Sequence, residues 1–317
     1  MQIGLMVEGQ NGLTWERWIH ILQLAERLNF PTLMRSDHYF IGRQQDSLEA
    51  YLSFAVAARE TSRIRFGPLV SPVTFRSPVD VGRMAAQIDL LSGGRFVMGL
   101  GAGWNEAEHK AYGIPFPPLK ERFDRLEEAI QVIRALWGNG PADFHGRHYR
   151  LEGADCIPTP ASGRPPILIG GSGEKRTLRL VARYADEWNA VNANPEQYAA
   201  KVKVLEARCE AVGRDPATIR RSMMTFAVIG PDAASLDRAT ERMMGMWGAP
   251  AGTSPEQYRV GLRARGMIVG GKDEVLDACG KYARLGMNEI QFQHFNFDDD
   301  TVPEFLAADV AGAAAAL

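Results

Sequence analysis

The sequence predicts an α/β fold of the (β/α)8 barrel type, with inserted loops at the C-terminal mouth of the barrel. Three observations carry that expectation. Short apolar runs alternate with stretches of helical spacing eight times along the 317 residues. The runs are apolar without a polar face, as strands buried on both sides of a parallel sheet are. Glycine and small polar residues gather just after several runs, at the ends of the strands, where barrels of this type carry their sites.

The bulk properties fit one large domain spanning residues 1–317. Hydrophobic content is 45%, charged content 23% and formal net charge −2, values of an ordinary soluble globular chain. That charge gives no electrostatic reason to expect nucleic acid or an anionic membrane as partner. No apolar stretch approaches the roughly 20 residues of a membrane span. The chain enters a strand-like run at once, with no basic n-region. Cys156, Cys209 and Cys279 are scattered and odd in number, so neither a disulfide framework nor a metal knuckle is expected, and a reducing cytoplasm is the expected location.

The elements follow in order. Residues 3–7 form the first strand. Thr14 is placed to cap a helix that carries Trp15, Trp18, Ile19, Leu22, Ala25 and Leu28 at helical spacing. Phe30-Pro31 stops it, and 32–34 form the second strand, which runs out into Arg35-Ser36-Asp37-His38. A helix over 48–59 leads to a third strand, 64–70, followed by Ser71-Pro72-Val73-Thr74-Phe75-Arg76-Ser77-Pro78. A helix over 79–91 and the turn Ser92-Gly93-Gly94 precede the fourth strand, 96–100. Residues 119–137 read as a helix with Phe123, Leu126, Ile130, Ile133 and Leu136 on one face. Strands at 167–169 and 187–191 enclose a helix at 174–184, and 195–212 is helical again. The seventh strand lies within 219–229, helical segments fill 233–285, and 289–294 supply the eighth. Two segments interrupt the alternation. Residues 138–166 are rich in Gly and Pro and read as an insertion over the mouth. Residues 243–257, with Met244, Met246, Trp247, Pro250 and Pro255, read as a lid.

The chemistry-bearing residues cluster at strand ends: Glu8, Asp37-His38, Val70-Ser71, Gly101-Ala102-Gly103-Trp104-Asn105, Gly170-Gly171-Ser172-Gly173 and Trp188-Asn189. Glycines at 99, 101 and 103 leave a bare backbone that suits close approach by a flat ligand. Gly170-Gly171-Ser172-Gly173 joins a strand to a helix, where amides and a hydroxyl can hold a phosphate with help from the helix dipole. It is neither a Walker A nor a G-x-G-x-x-G motif. A histidine at a strand end, such as His38, can hydrogen-bond a cofactor or move a proton near neutral pH. These groups include no credible metal set.

Taken together, Ser36-Asp37-His38, Pro72 to Pro78, Leu91-Ser92-Gly93-Gly94-Arg95, the Gly99 to Glu106 stretch, Glu121-Arg122-Phe123 and Pro166 to Gly173 resemble the luciferase-like flavin and deazaflavin oxidoreductases, most closely the branch that uses coenzyme F420. The likeness covers residues 1–195 well and the tail more loosely. It implies a TIM barrel that binds coenzyme F420, or alternatively FMN, at the strand ends. It implies cofactor contacts from His38, Val70, Ser71, Gly101, Ala102, Gly103, Trp104, Asn105, Gly170, Gly171, Ser172 and Gly173. It implies a distorted or cis peptide between Leu69 and Ser71, and a homodimer. His38 is the expected proton-handling residue, with Asp37 beside it. Trp104 stands where a sugar-phosphate dehydrogenase subgroup carries a glutamate, which speaks against sugar-phosphate oxidation. The expected activity is hydride transfer between F420 and a small organic substrate. An FMN-dependent monooxygenase and a non-catalytic flavin-binding protein are the alternatives.

Overall fold

The computed structural model describes residues 1–42 and 47–317. Thirteen strands occur among them: β1 Gln2–Val7, β2 Thr32–Arg35, β3 Arg65–Pro68, β4 Ser71–Pro72, β5 Met98–Gly101, β6 Ala142–His145, β7 Arg150–Ala154, β8 Ile167–Gly170, β9 Glu187–Val191, β10 Arg220–Thr225, β11 Ala227–Ile229, β12 Ile268–Gly270 and β13 Glu289–His294. Nine of them make one sheet, in the order β3-β2-β1-β13-β10-β9-β8-β5-β4, with every pairing parallel. β3 and β4 are two pieces of one stave, separated by a cis peptide at Leu69–Val70. The barrel closes between β3 and the start of the next stave. There the Phe66 amide donates to Arg95 O at 3.3 Å and the Val97 amide to Phe66 O at 2.9 Å. Counted this way there are eight staves, as the sequence predicts.

Glycine makes that closure possible. A Cβ on Gly67 would stand 1.9 Å from Val97 O, and one on Gly99 1.9 Å from Pro68 O. No side chain fits at either place, so the Gly99 expected to face a ligand instead admits a neighbouring carbonyl.

Helices cover the outside of the staves. Trp15–Arg27 is capped by Thr14, whose hydroxyl accepts from the Arg17 amide, and Pro78–Ser92 by Ser77 with Pro78 in its first turn. Pro195–Glu210 begins with a capping box between Asn194 and Gln197. The main core lies between these helices and the sheet, with Trp18, Phe54, Phe66, Phe96 and Trp188 all fully buried. A smaller cluster of Met6, Met34, Leu69, Val97 and Leu168 is separate from that main core.

The two expected mouth insertions part company. Residues 138–166 leave the C-terminal end of helix Leu119–Leu136 and enter β8 at its start, so they sit at the opposite end of the barrel from the mouth. They fold as the antiparallel β6–β7 hairpin. The Glu128 carboxylate accepts amides of Arg147, His148 and Tyr149, and Asp89 accepts from Ser162. The correction has a simple cause: a helix that follows a strand returns the chain to the far end of the sheet. Of the second segment, Trp247 reaches the cavity at the carboxyl ends of the staves. After β10 the chain makes an excursion through β11, helices Ala233–Trp247 and Pro255–Ala264, and β12, which pairs parallel with β11. It has its own small core of Val228, Met243, Leu262 and Val269. No helix among the described residues is long and apolar enough to cross a membrane.

Candidate active site

A cavity of about 410 Å³ opens at the carboxyl ends of the staves. Met6 and Glu8 of the first stave, Ser36 and His38 beyond β2, and Leu69, Val70 and Pro72 around the broken stave form part of its wall. Gly103 and Trp104 after β5, Gly170 and Gly171, Asn189, Met224, Phe226, Trp247 and Gln293 contribute much of the remainder. The lining is largely apolar with a few polar groups, the usual make-up of a small-molecule site.

Val70 shows how the backbone shapes this wall. It follows the cis peptide at Leu69–Val70, inside the segment where a distorted or cis bond is expected. Its methyl groups lie where a Cβ on Gly101 or Gly170 would be, at 2.6 and 2.8 Å. The glycines at 101 and 170 therefore make room for Val70, and Val70 in turn faces the cavity.

His38 sits at the cavity edge with its side chain 15% exposed. Its Nδ1 lies 2.9 Å from Oε2 of Glu108, whose side chain has no exposed surface. The other oxygen, Oε1, accepts the Tyr39 amide at 2.6 Å and the Phe40 amide at 3.0 Å. One carboxylate thus fixes both the ring and the loop that carries it. With Nδ1–H directed to Glu108, Nε2 is the nitrogen left for a ligand. Burial pushes the imidazole pKa down. The Glu108 hydrogen bond and the charges of Glu108, Glu8 and Asp37 push it up and prevail, so it is raised overall. Trp104 packs edge-on against the ring at 5.4 Å and is itself 66% exposed.

Asp37, expected beside His38, faces elsewhere. It accepts from Arg76 Nη1 at 2.6 Å and Nη2 at 3.1 Å, and from Ser71 Oγ at 2.7 Å. Adjacent residues of an extended segment point to opposite sides, and Asp37 belongs to a buried network with Arg76, Glu49, Ser71 and Tyr51. Ser71 is drawn into the same network and does not line the cavity. Asn105 acts on the loops: its Nδ2 donates to Phe40 O, and its carbonyl accepts Nδ1–H of His109, whose Nε2 faces the Thr74 hydroxyl at 2.6 Å. Gly101, covered by Val70, and Ala102 are not among the residues that line the cavity. The residues that do reach the cavity are His38, Val70, Gly103, Trp104, Gly170 and Gly171.

In the glycine loop the Gly171 amide, expected to hold a phosphate, already donates to Asn189 O at 2.9 Å. Gly171 has φ +118°, a conformation that favours glycine. Beside it, Ser172 Oγ and Arg176 Nη1 are buried and have no hydrogen-bond partner among the described residues. A hydroxyl and a guanidinium left open just before helix Thr177–Tyr184 suit an anion, so the loop fits a cofactor phosphate.

Three groups escaped sequence reasoning. Glu108 is one, and Gln293, which donates to Glu8 across the cavity floor, is another. Phe226 is the third, packed edge-on against Trp247 at 5.2 Å. Only Glu108 left a signal: an acidic residue two positions after Glu106 on the short helix Glu106–Ala111 directly after β5.

The chain is an α/β barrel with a cavity at the carboxyl ends of its strands. The model for the luciferase-like monooxygenases matches residues 1–289, and the chain belongs to that family. Among curated proteins it is 30% identical to the F420-dependent hydroxymycolic acid dehydrogenase of Mycobacterium tuberculosis over 297 residues, 90% of this chain and 80% of that protein. It is 31% identical to the pyrimidine monooxygenase RutA of Escherichia coli over 265 residues, 75% of this chain and 70% of that protein. Among solved structures, an F420-dependent secondary alcohol dehydrogenase in complex with an F420-acetone adduct superposes with TM-score 0.81 at 20% identity, covering 99% of this chain and 98% of that one.

Proposed function

We propose that this protein is a cytoplasmic, homodimeric oxidoreductase that transfers a hydride between coenzyme F420 and a small organic substrate. The observation that carries the reading is the His38–Glu108 pair at the edge of a largely apolar cavity. Similarity to the F420-dependent mycobacterial dehydrogenase supports the choice of cofactor.

The deazaflavin would supply reversible hydride exchange, which is the cofactor's own chemistry. The chain's residues do the rest. Ser172 Oγ and Arg176 would bind the phosphate, and Val70 would support one face of the ring. His38, held at Nδ1 by Glu108, gives or takes one proton through Nε2 at the substrate oxygen as its carbon loses or gains hydride. Trp104 and Trp247 shield the mouth from water.

The similarity to RutA favours a second reading, an FMN-dependent monooxygenase. Fluorescence titration of the purified protein with each cofactor separates the two. F420 is expected to bind at least about tenfold more tightly than FMN, a difference of about 1.4 kcal/mol. Tighter FMN binding, with oxygen consumption once the flavin is reduced, would overturn the F420 assignment.

A further inference from the structure

We infer that a second cavity beside the mouth holds an anionic group of the substrate, so that the enzyme acts on small molecules bearing a carboxylate or phosphate on an apolar body; this rests on the oxidoreductase reading above.

The side cavity measures about 520 Å³ and lies between helix Ala233–Trp247 and the chain leaving β13. It adjoins the mouth cavity. Gln293 lines both spaces, while Phe226 and Trp247 line the mouth cavity and their chain neighbours Ala227 and Met246 line the side cavity. The two spaces are therefore neighbours, and the inference places the reacting carbon near His38 and the anionic end of the same molecule in the second space.

Two polar side chains stand side by side here, and one of them has a buried atom without a partner. Gln293 Oε1 is buried with no hydrogen-bond partner among the described residues, although its Nε2 is engaged by Glu8. His294, the next residue, is 5% exposed and lines the side cavity; its carbonyl accepts the Glu8 amide at 3.4 Å, while its ring makes no hydrogen bond among the described residues. Burial depresses its pKa to about 4, so near neutral pH it offers one N–H and one lone pair. Buried polar groups in a native protein are nearly always partnered; the His294 N–H can donate to an anionic oxygen, whereas Gln293 Oε1 is an acceptor and would be met only by a hydroxyl or N–H on the body of the ligand.

Two arginines give the charge. Arg238 and Arg242 stand four residues apart on one helix, line the cavity, and form no ion pair among the described residues. Of the acidic residues there, Asp299 already accepts from the Thr301 amide at 3.0 Å and Asn296 Nδ2 at 3.1 Å. Glu241 is exposed. Paired guanidinium groups match the geometry of carboxylate or phosphate oxygens.

The test uses the full-length protein without cofactor. Hexanoate, hexyl phosphate and 1-hexanol serve as probes, read by calorimetry and by fluorescence of Trp247. At least one of the two anions is expected to bind about tenfold or more tightly than the alcohol. The Arg238→Met/Arg242→Met double variant is expected to lose that preference, with F420 affinity within about twofold of the parent. The arginines are exposed, so the variant should melt with the parent. Binding of neither anion, equal binding of anion and alcohol, or an anion preference that survives the double substitution would each overturn the inference. A double variant that loses F420 affinity would also overturn it, because the cavity would then serve the cofactor's phosphate-bearing side chain. The probe measurements need no cofactor, so failure of the F420 assignment leaves their outcome readable.

Discussion

A carboxylate with no exposed surface decides what His38 can do. Glu108 fixes one ring nitrogen, raises the proton affinity of the ring and clamps the loop amides of Tyr39 and Phe40. Replacing His38 by Asn should lower turnover by about 10²- to 10⁴-fold, the usual cost of losing one acid–base group. Replacing Glu108 by Gln should act through pH. A reaction that needs the imidazolium slows as pH rises through the imidazole pKa. Without the carboxylate that pKa falls, so the descending limb of the pH–rate profile should move to lower pH. An unmoved limb in Glu108→Gln would show that the ring does not supply the proton. His38 was legible in the sequence because it closes a strand. Its partner was not, because the pairing joins residues 70 positions apart that only the barrel brings together. Asp37 misled for the opposite reason: proximity in sequence placed it on the wrong side of the backbone.

The glycine loop and the broken stave set the cofactor side of the cavity. If Ser172 and Arg176 bind the phosphate, Ser172→Ala with Arg176→Met should weaken F420 by about tenfold to a hundredfold, since hydrogen bonds to charged groups contribute about 1.5–3 kcal/mol. Unchanged affinity in a fluorescence titration would remove the loop from the site. Gly171 is a poor probe, because its left-handed backbone and its engaged amide make any substitution there a test of the turn. Strand–helix alternation was readable because each element carries its own hydrophobic period. The β6–β7 hairpin was not, since its strands are short and mostly exposed. The role of Gly67 and Gly99 was hidden as well, because only the closed barrel presents the carbonyls they accommodate.

At the scale of the whole molecule, the family resemblance implies a homodimer. Leu52, Leu90 and Leu91 are exposed on helices of the outer layer, apolar surface of the kind a second copy would bury. Light scattering at working concentration should give twice the 34.9 kDa chain mass, and a value at the chain mass would reject the dimer. The eightfold alternation of the barrel was legible from sequence, and so were the helices of the mouth excursion. That the excursion has its own two-stranded sheet and its own core was not, because β11 and β12 are three residues each and 38 positions separate Ile229 from the start of the next. Residues 227–270 contribute Trp247 to one cavity and both arginines to the other, and they carry a small core of their own, joined to the main core through Ile229 and Ile268. Changes confined to the cap's own core would therefore reshape both cavities while leaving His38, Val70 and the staves beneath them in place.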